Sequence, residues 1–156
     1  MMPRYTNKRA SYKENNEYYT PAWLFKELGV RFDIDVCAPM GGVDWLPADR
    51  HFDIEIDGLK QEWNGFIWCN PPYSDPTPFI DKFLLHANGI MLVQISKSNA
   101  FLRLWNQADA IMMLPRNIMF EHKDHGKKGI FMPVALFGMG AKAVSVLNAC
   151  KINKVR

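Results

Sequence analysis

Residues 66–73, Phe66-Ile67-Trp68-Cys69-Asn70-Pro71-Pro72-Tyr73, decide how this chain is read. The first four form a short apolar strand, and the last four end it in a rigid shelf. Proline fixes φ and has no N–H, so the carbonyls beside it stay available to a ligand. Pro71 also drives Asn70 out of the helical region into an extended conformation. Asn70 offers a side-chain carbonyl and Pro71 a main-chain carbonyl. Two acceptors converging on one NH2 group hold it and leave its lone pair facing an electrophile. Tyr73 then lies against the ring that carries the amine. A bare Pro-Pro pair after a buried strand is an ordinary turn. The full set of strand, Asn, Pro, Pro and aromatic is far more specific, and it points to a planar, amine-bearing substrate.

Working outward, the flanking elements alternate. Upstream, Thr20 reads as an N-cap, Pro21 as the first helical residue and Trp23–Leu28 as a helix closed by Gly29. Phe32–Cys37 reads as a strand running into Ala38, Pro39, Met40, Gly41 and Gly42. Residues 43–62 show little regular pattern and contain Trp45, Pro47, several acids and the turn-like Asp57-Gly58. Downstream, Asp75 or Thr77 caps a helix to about His86, with Phe79, Ile80, Phe83 and Leu84 inward. Gly89–Ile95 is an apolar run typical of a buried central strand. Ser98 caps a helix through Gln107 with Phe101, Leu104 and Trp105 inward. Strands follow at Ala110–Leu114 and, after a loop, Val134–Phe137, with a short helix near residues 141–150. Such alternation predicts an α/β fold with a mainly parallel sheet and helices on its faces. Ligands of such sheets sit beyond the carboxyl ends of the strands, where strand order reverses. Asp35 and Asn70 both fall at such ends.

The chain's 156 residues predict one domain, 18–156, preceded by a flexible, polar, basic arm at 1–17. No segment has the apolar length of a bilayer span, and the N-terminus does not resemble a secretory signal. Three widely spaced cysteines, Cys37, Cys69 and Cys150, contain no CxxC pair, so neither a zinc knuckle nor a disulfide framework is expected, and a reduced intracellular state is. The four histidines show no HExxH spacing, so no metal is expected. There is no GxxxxGK phosphate loop and no hydrolase motif. Charge is unevenly spread: residues 17–65 hold four basic and ten acidic side chains, whereas residues 66–156 hold eleven basic and five acidic. An acidic middle and a basic remainder suit two ligands, one rich in hydroxyls or cationic, the other a polyanion.

At these residues the chain resembles the phage-type Dam family of DNA adenine methyltransferases. The resemblance covers most of residues 18–140. It rests on Tyr19-Thr20-Pro21 with Leu24-Phe25, on Asp35-Val36-Cys37-Ala38, on Asp57-Gly58-Leu59 with Trp63, and on Trp68 through Ser74. It implies a Rossmann-like S-adenosylmethionine-dependent methyltransferase fold, with helices on both faces and a final antiparallel strand. It implies methyl transfer from S-adenosylmethionine to the 6-amino group of adenine in DNA. By the same resemblance, Asn70, Pro71, Pro72 and Tyr73 form the catalytic motif. Thr20, Pro21, Asp35, Cys37, Ala38, Asp57 and Asn70 become cofactor-binding candidates, although the glycine-rich GxG turn of many methyltransferases is absent. Tyr73 and Phe120 become base-stacking candidates, with Phe131 close to the latter in sequence.

Taken singly, several of these residues have plainer explanations. Asp57 before Gly58 is an ordinary turn signal, Cys37 suits a small packing role, and Phe120 suits a core. Candidate phosphate contacts are Lys97, Arg103, Lys123, Lys127 and Lys128. DNA is therefore the expected partner, reached in the cytoplasm of a bacterial host by a phage-encoded protein, with no membrane and no metal. Nothing in the residues sets an oligomeric state. The Asn-Pro-Pro-Tyr set also serves enzymes that methylate glutamine side chains or RNA amines, cytosine carries an exocyclic amine as well, and a binding module that has lost catalysis is a further alternative. The basic second half and the N-terminal motif favour adenine in DNA.

Overall fold

The structure is a computed structural model that describes residues 18–122, 126–129 and 132–156. The expected arm at 1–17, Lys123, Phe131 and the side chain of Lys128 lie outside the described residues. Among the described residues, six strands form the central sheet: β2 (Phe32–Asp35), β3 (Ala48–His51), β4 (Ile67–Cys69), β5 (Gly89–Gln94), β6 (Ala110–Met113) and β9 (Val134–Met139). Their order is β3-β2-β4-β5-β9-β6. The first four are parallel, and β9 runs antiparallel to both β5 and β6. This is a mixed α/β architecture with a mostly parallel sheet. A second, three-stranded sheet joins β1 (Tyr18–Tyr19), β7 (Met119–His122) and β8 (Gly126–Gly129).

The helices that cover the central sheet are α1 (Ala22–Leu28), α2 (Thr77–His86), α3 (Asn99–Gln107) and α4 (Ala141–Ala149). Strand alternation assigns them to faces. Met91 and Val93 of β5 and Phe137 of β9 share a core with Phe79, Ile80 and Phe83 of α2 and Phe101 and Leu104 of α3. Ile90, Leu92 and Leu136 share the opposite core with Leu24, Phe25 and Leu28 of α1 and Ala143 and Leu147 of α4. Helices therefore lie on both faces, because successive strand residues point to opposite sides.

Three local expectations are corrected. Thr20 does not cap α1: Pro21 occupies the N-cap, with no side-chain bond, and Thr20 is buried at the site. Neither Asp75 nor Thr77 caps α2, whose N-cap is Pro76. Trp105 remains 45% exposed, although its ring meets Phe101 and Phe137. Gly29, at φ 61, does close α1, and Ser98 does cap α3 by accepting from Phe101 N–H at 3.2 Å.

Strands β1, β3, β7 and β8 escaped the sequence pattern. β3 is the sheet edge and reads Ala-Asp-Arg-His, without an apolar stripe to announce it. The β7–β8 hairpin is rich in Gly and Lys and exists through pairing with β1 rather than through propensity.

Candidate active site

The site grows from the reversal of strand order. From β2 the chain moves outward to β3, then returns to β4 on the other side of β2. The register sets Asp35 of β2 beside Trp68 of β4, and Val36 N–H donates to the Trp68 carbonyl at 3.0 Å. The last residue of β2 and the first residue beyond β4 are thereby neighbours. This crevice is where an open α/β sheet admits ligands.

On one side of Asn70 lies a small recess, about 20 Å³, lined by Tyr19, Thr20, Asp35, Cys37, Pro39, Val43, Leu46, Trp68 and Asn70. Four of the cofactor candidates, Thr20, Asp35, Cys37 and Asn70, meet here. Asn70 Nδ2 donates to Thr20 Oγ1 at 3.5 Å, a long contact that leaves the amide carbonyl as an acceptor. Cys37 N–H donates to Asp35 Oδ1 at 3.3 Å. That bond favours the carboxylate, but burial outweighs it and pushes the Asp35 carboxyl up from 3.8 to about 7. Burial, with Cys37 and Asp35 nearby, also raises the Cys69 thiol, so Cys69 stays neutral and packs in the core. The segment 39–47 roofs the recess. Its Trp45 Nε1 donates to the Thr20 carbonyl at 2.8 Å, and its ring lies 5.9 Å from that of Tyr19.

On the other side of the shelf is a larger cavity of about 210 Å³. Pro71, Tyr73, Pro76, Thr77, Ile80 and Phe101 line it, together with residues from the end of β5 and the turn that follows. Tyr73 Oη is buried and has no hydrogen-bond partner among the described residues. Burial pushes its phenol pKa up, so the hydroxyl remains protonated. Pro72 is buried behind the shelf and lines neither space.

Other candidates fall elsewhere. Pro21 starts α1, its carbonyl accepting from Leu24 N–H at 3.1 Å. Ala38 is fully buried and ties the turn after β2 to Phe52 of the next segment at 2.9 Å. Asp57 lines neither space: Oδ1 accepts from Leu59 N–H at 3.1 Å, capping a 3₁₀ turn, and Lys60 stands 3.8 Å from Oδ2. The adjacent Gly58 explains the motif, since a Cβ there would lie 2.0 Å from the Val36 carbonyl oxygen. The Asp57-Gly58 turn thus supports the β2 turn from behind. Lys82 reinforces it, its ammonium donating to the carbonyls of Gly58, Leu59 and Gln61.

Phe120, the second base-stacking candidate, is 0% exposed within the core that holds α1, α4 and Trp68, and it lines neither space. Arg103 pairs with Asp81 across α2 and α3 at 2.6 Å, and both side chains are exposed. Lys97 and Lys127 are exposed. The sequence reading passed over Gln94 and Ser96, which line the larger cavity. Only their place at the carboxyl end of the predicted β5 pointed to them. Among the described residues, no group of three or more His, Cys, Asp or Glu is placed to hold a metal. Nor is any helix among them long and apolar enough to cross a membrane.

Fold and site together define an α/β protein with a crevice at a strand-order reversal, where β4 ends in the Asn70–Tyr73 run between two spaces. Comparison with known proteins gives that class its particular form. Residues 7–130 match the family model of DNA N-6-adenine-methyltransferase (Dam), most of the chain, and the protein belongs to that family. Its reaction is therefore methylation of adenine in DNA. Over 140 residues it is 25% identical to the DNA N-6-adenine-methyltransferase of Haemophilus phage HP1 (strain HP1c1), an alignment covering 82% of this chain and 78% of the relative.

Proposed function

We propose that the methyl donor is S-adenosylmethionine, that the sheet is a Rossmann-like methyltransferase sheet, and that the Asn70–Tyr73 run is the partition at which the reaction occurs. One observation carries this reading: Asn70 lines the recess containing Asp35, while Pro71 and Tyr73 line the larger cavity. The strand order and the antiparallel β9 support the fold assignment. The larger cavity holds about 210 Å³, against roughly 150 Å³ for an apolar cavity that admits benzene. A flipped purine ring is of that scale.

The donor set around the smaller recess fits the cofactor. Asp35 is a buried acceptor for an ammonium or hydroxyl group, and Thr20 and the Asn70 amide add neutral polar contacts. At about 20 Å³ the recess is too small for a nucleoside, so binding displaces the 39–47 segment that roofs it. When bound, the cofactor supplies an electrophilic methyl carbon on a sulfonium sulfur. The residues do the rest. Asn70 Oδ1 and the Pro71 carbonyl accept from the adenine amine, which reduces conjugation with the ring and directs the nitrogen lone pair at the methyl. Tyr73 holds the ring. Held beside Asn70, the cofactor would supply both the methyl group and a sulfur leaving group able to keep the electron pair of the broken bond. Asn70 is not a base, so the extra proton leaves to water. Positioning and electrostatics supply most of the rate.

Lys97 and Lys127 are exposed cations suited to the DNA backbone, and the phage relative supports action on DNA in the cytoplasm of a bacterial host. Transfer of labelled methyl from S-adenosylmethionine to adenine-containing DNA tests the reading. Labelled RNA or protein with unlabelled DNA would overturn it.

A further inference from the structure

The far wall of the larger cavity is the end of β5 and the turn into α3, which contribute Gln94, Ser96 and Ser98. The two serine hydroxyls already accept from the backbone. Ser98 N–H donates to Ser96 Oγ at 3.0 Å, and Phe101 N–H donates to Ser98 Oγ at 3.2 Å. A hydroxyl has one proton and two lone pairs. With a lone pair held by the backbone, its oxygen is fixed in place and its proton remains available for another partner. Tyr73 lines the same cavity, and its Oη is buried without a partner among the described residues. A buried hydroxyl left unpaired carries a free-energy penalty, which a hydrogen-bonding ligand removes.

The cavity therefore combines an acceptor, the Pro71 carbonyl, with hydroxyl-bearing residues from two segments, Tyr73 and the turn after β5. That pattern matches a ring amine flanked by two ring acceptors. Adenine has N1 and N7 on either side of its amine, whereas cytosine has only N3. Lys97 is exposed and stands in the chain between Ser96 and Ser98, both of which line the cavity.

Building on the adenine reading above, we propose that Tyr73 Oη and Ser96 Oγ are a specificity-determining pair of donors. One serves N7 and the other N1 of the bound adenine, and Lys97 meets the phosphate beside that nucleotide. Tyr73 then meets the base at its edge, with the hydroxyl close to the plane of the ring.

The test uses labelled methyl transfer to two DNAs of one sequence, made with adenine or with 7-deazaadenine throughout. The wild-type chain favours adenine DNA by about tenfold or more in kcat/KM. Of Tyr73→Phe and Ser96→Ala, the variant of the N7 donor falls about tenfold on adenine DNA and no longer distinguishes the two. The other variant falls similarly and keeps the preference. Both should fold, because Tyr73→Phe deletes a hydroxyl with no partner among the described residues and Ser96 is exposed. Lys97→Ala lowers the salt slope of DNA binding by about one and keeps the preference. Equal rates on both DNAs for the wild type, or full preference retained by both hydroxyl variants, would overturn the donor pair. An unchanged salt slope would remove the phosphate contact. A wild-type chain that methylates no adenine DNA would defeat the broader reading and this one with it.

Discussion

The two spaces on either side of the Asn70–Tyr73 run share one strand end and differ in nearly every physical respect. The smaller, about 20 Å³, contains a buried carboxyl and is roofed by the 39–47 segment. The larger, about 210 Å³, has no acid in its lining and is edged by neutral hydroxyls. An ionisable acceptor suits a cationic or hydroxyl-rich ligand, while neutral donors suit an uncharged ring. On the proposed reading, one strand terminus separates two ligand chemistries: Asn70 lines one space, and Pro71 and Tyr73 line the other.

The largest effect should come from damaging the partition itself. Asn70→Ala should lower methyl transfer about a hundredfold or more while DNA still binds. Single-turnover rates and a binding titration check it, and retention of more than about a tenth of the rate would mean that Asn70 is not the amine clamp. Next comes the support behind the smaller space. The Cβ of Gly58→Ala would be driven into the Val36 carbonyl at 2.0 Å, costing about 1–3 kcal/mol of stability and displacing the β2 turn. Denaturant unfolding measures the first effect and calorimetric titration with S-adenosylmethionine the second. Unaltered stability would show that the turn is free to shift.

Asp35→Asn sharpens the contrast by removing the ionisable group. The folded-state value of about 7 lies above the ordinary 3.8, so the folded chain retains a proton that the unfolded chain releases. Asp35's contribution to stability is thus fully present below about pH 4 and lost as pH rises towards and through 7. Against the Asp35→Asn variant, which has no proton to lose at this position, the wild type should weaken across that window, as thermal melts from pH 4 to 8 would report. Parallel melting curves would break the assignment. The smallest effect is expected away from both spaces. Arg103→Ala removes an exposed pair with Asp81 and should change stability by no more than about 1 kcal/mol. It should leave the salt slope of DNA binding intact, and a slope reduced by about one would return Arg103 to the DNA surface.

Much of this molecule was legible locally. The apolar runs at β4, β5 and β9, the Gly29 closure and the Ser98 cap are written in neighbouring residues, because strand burial and helix ends are short-range matters. The alternation of elements predicted the sheet class, and the Asn70–Tyr73 run marked the shelf. β3 and the β7–β8 hairpin carry no such signal, since their polar residues become strands only beside partners far along the chain. Phe120 illustrates the same limit: its aromatic character was visible, but its burial depends on α1 and α4 arriving from opposite ends of the sequence. Sequence alone determined which chemistry the strand end offers. Only tertiary structure decided which way each residue faces, that Asp35 loses its water, and that Ser96 and Tyr73 line one cavity, because burial and apposition are properties of packed surfaces rather than of any one segment.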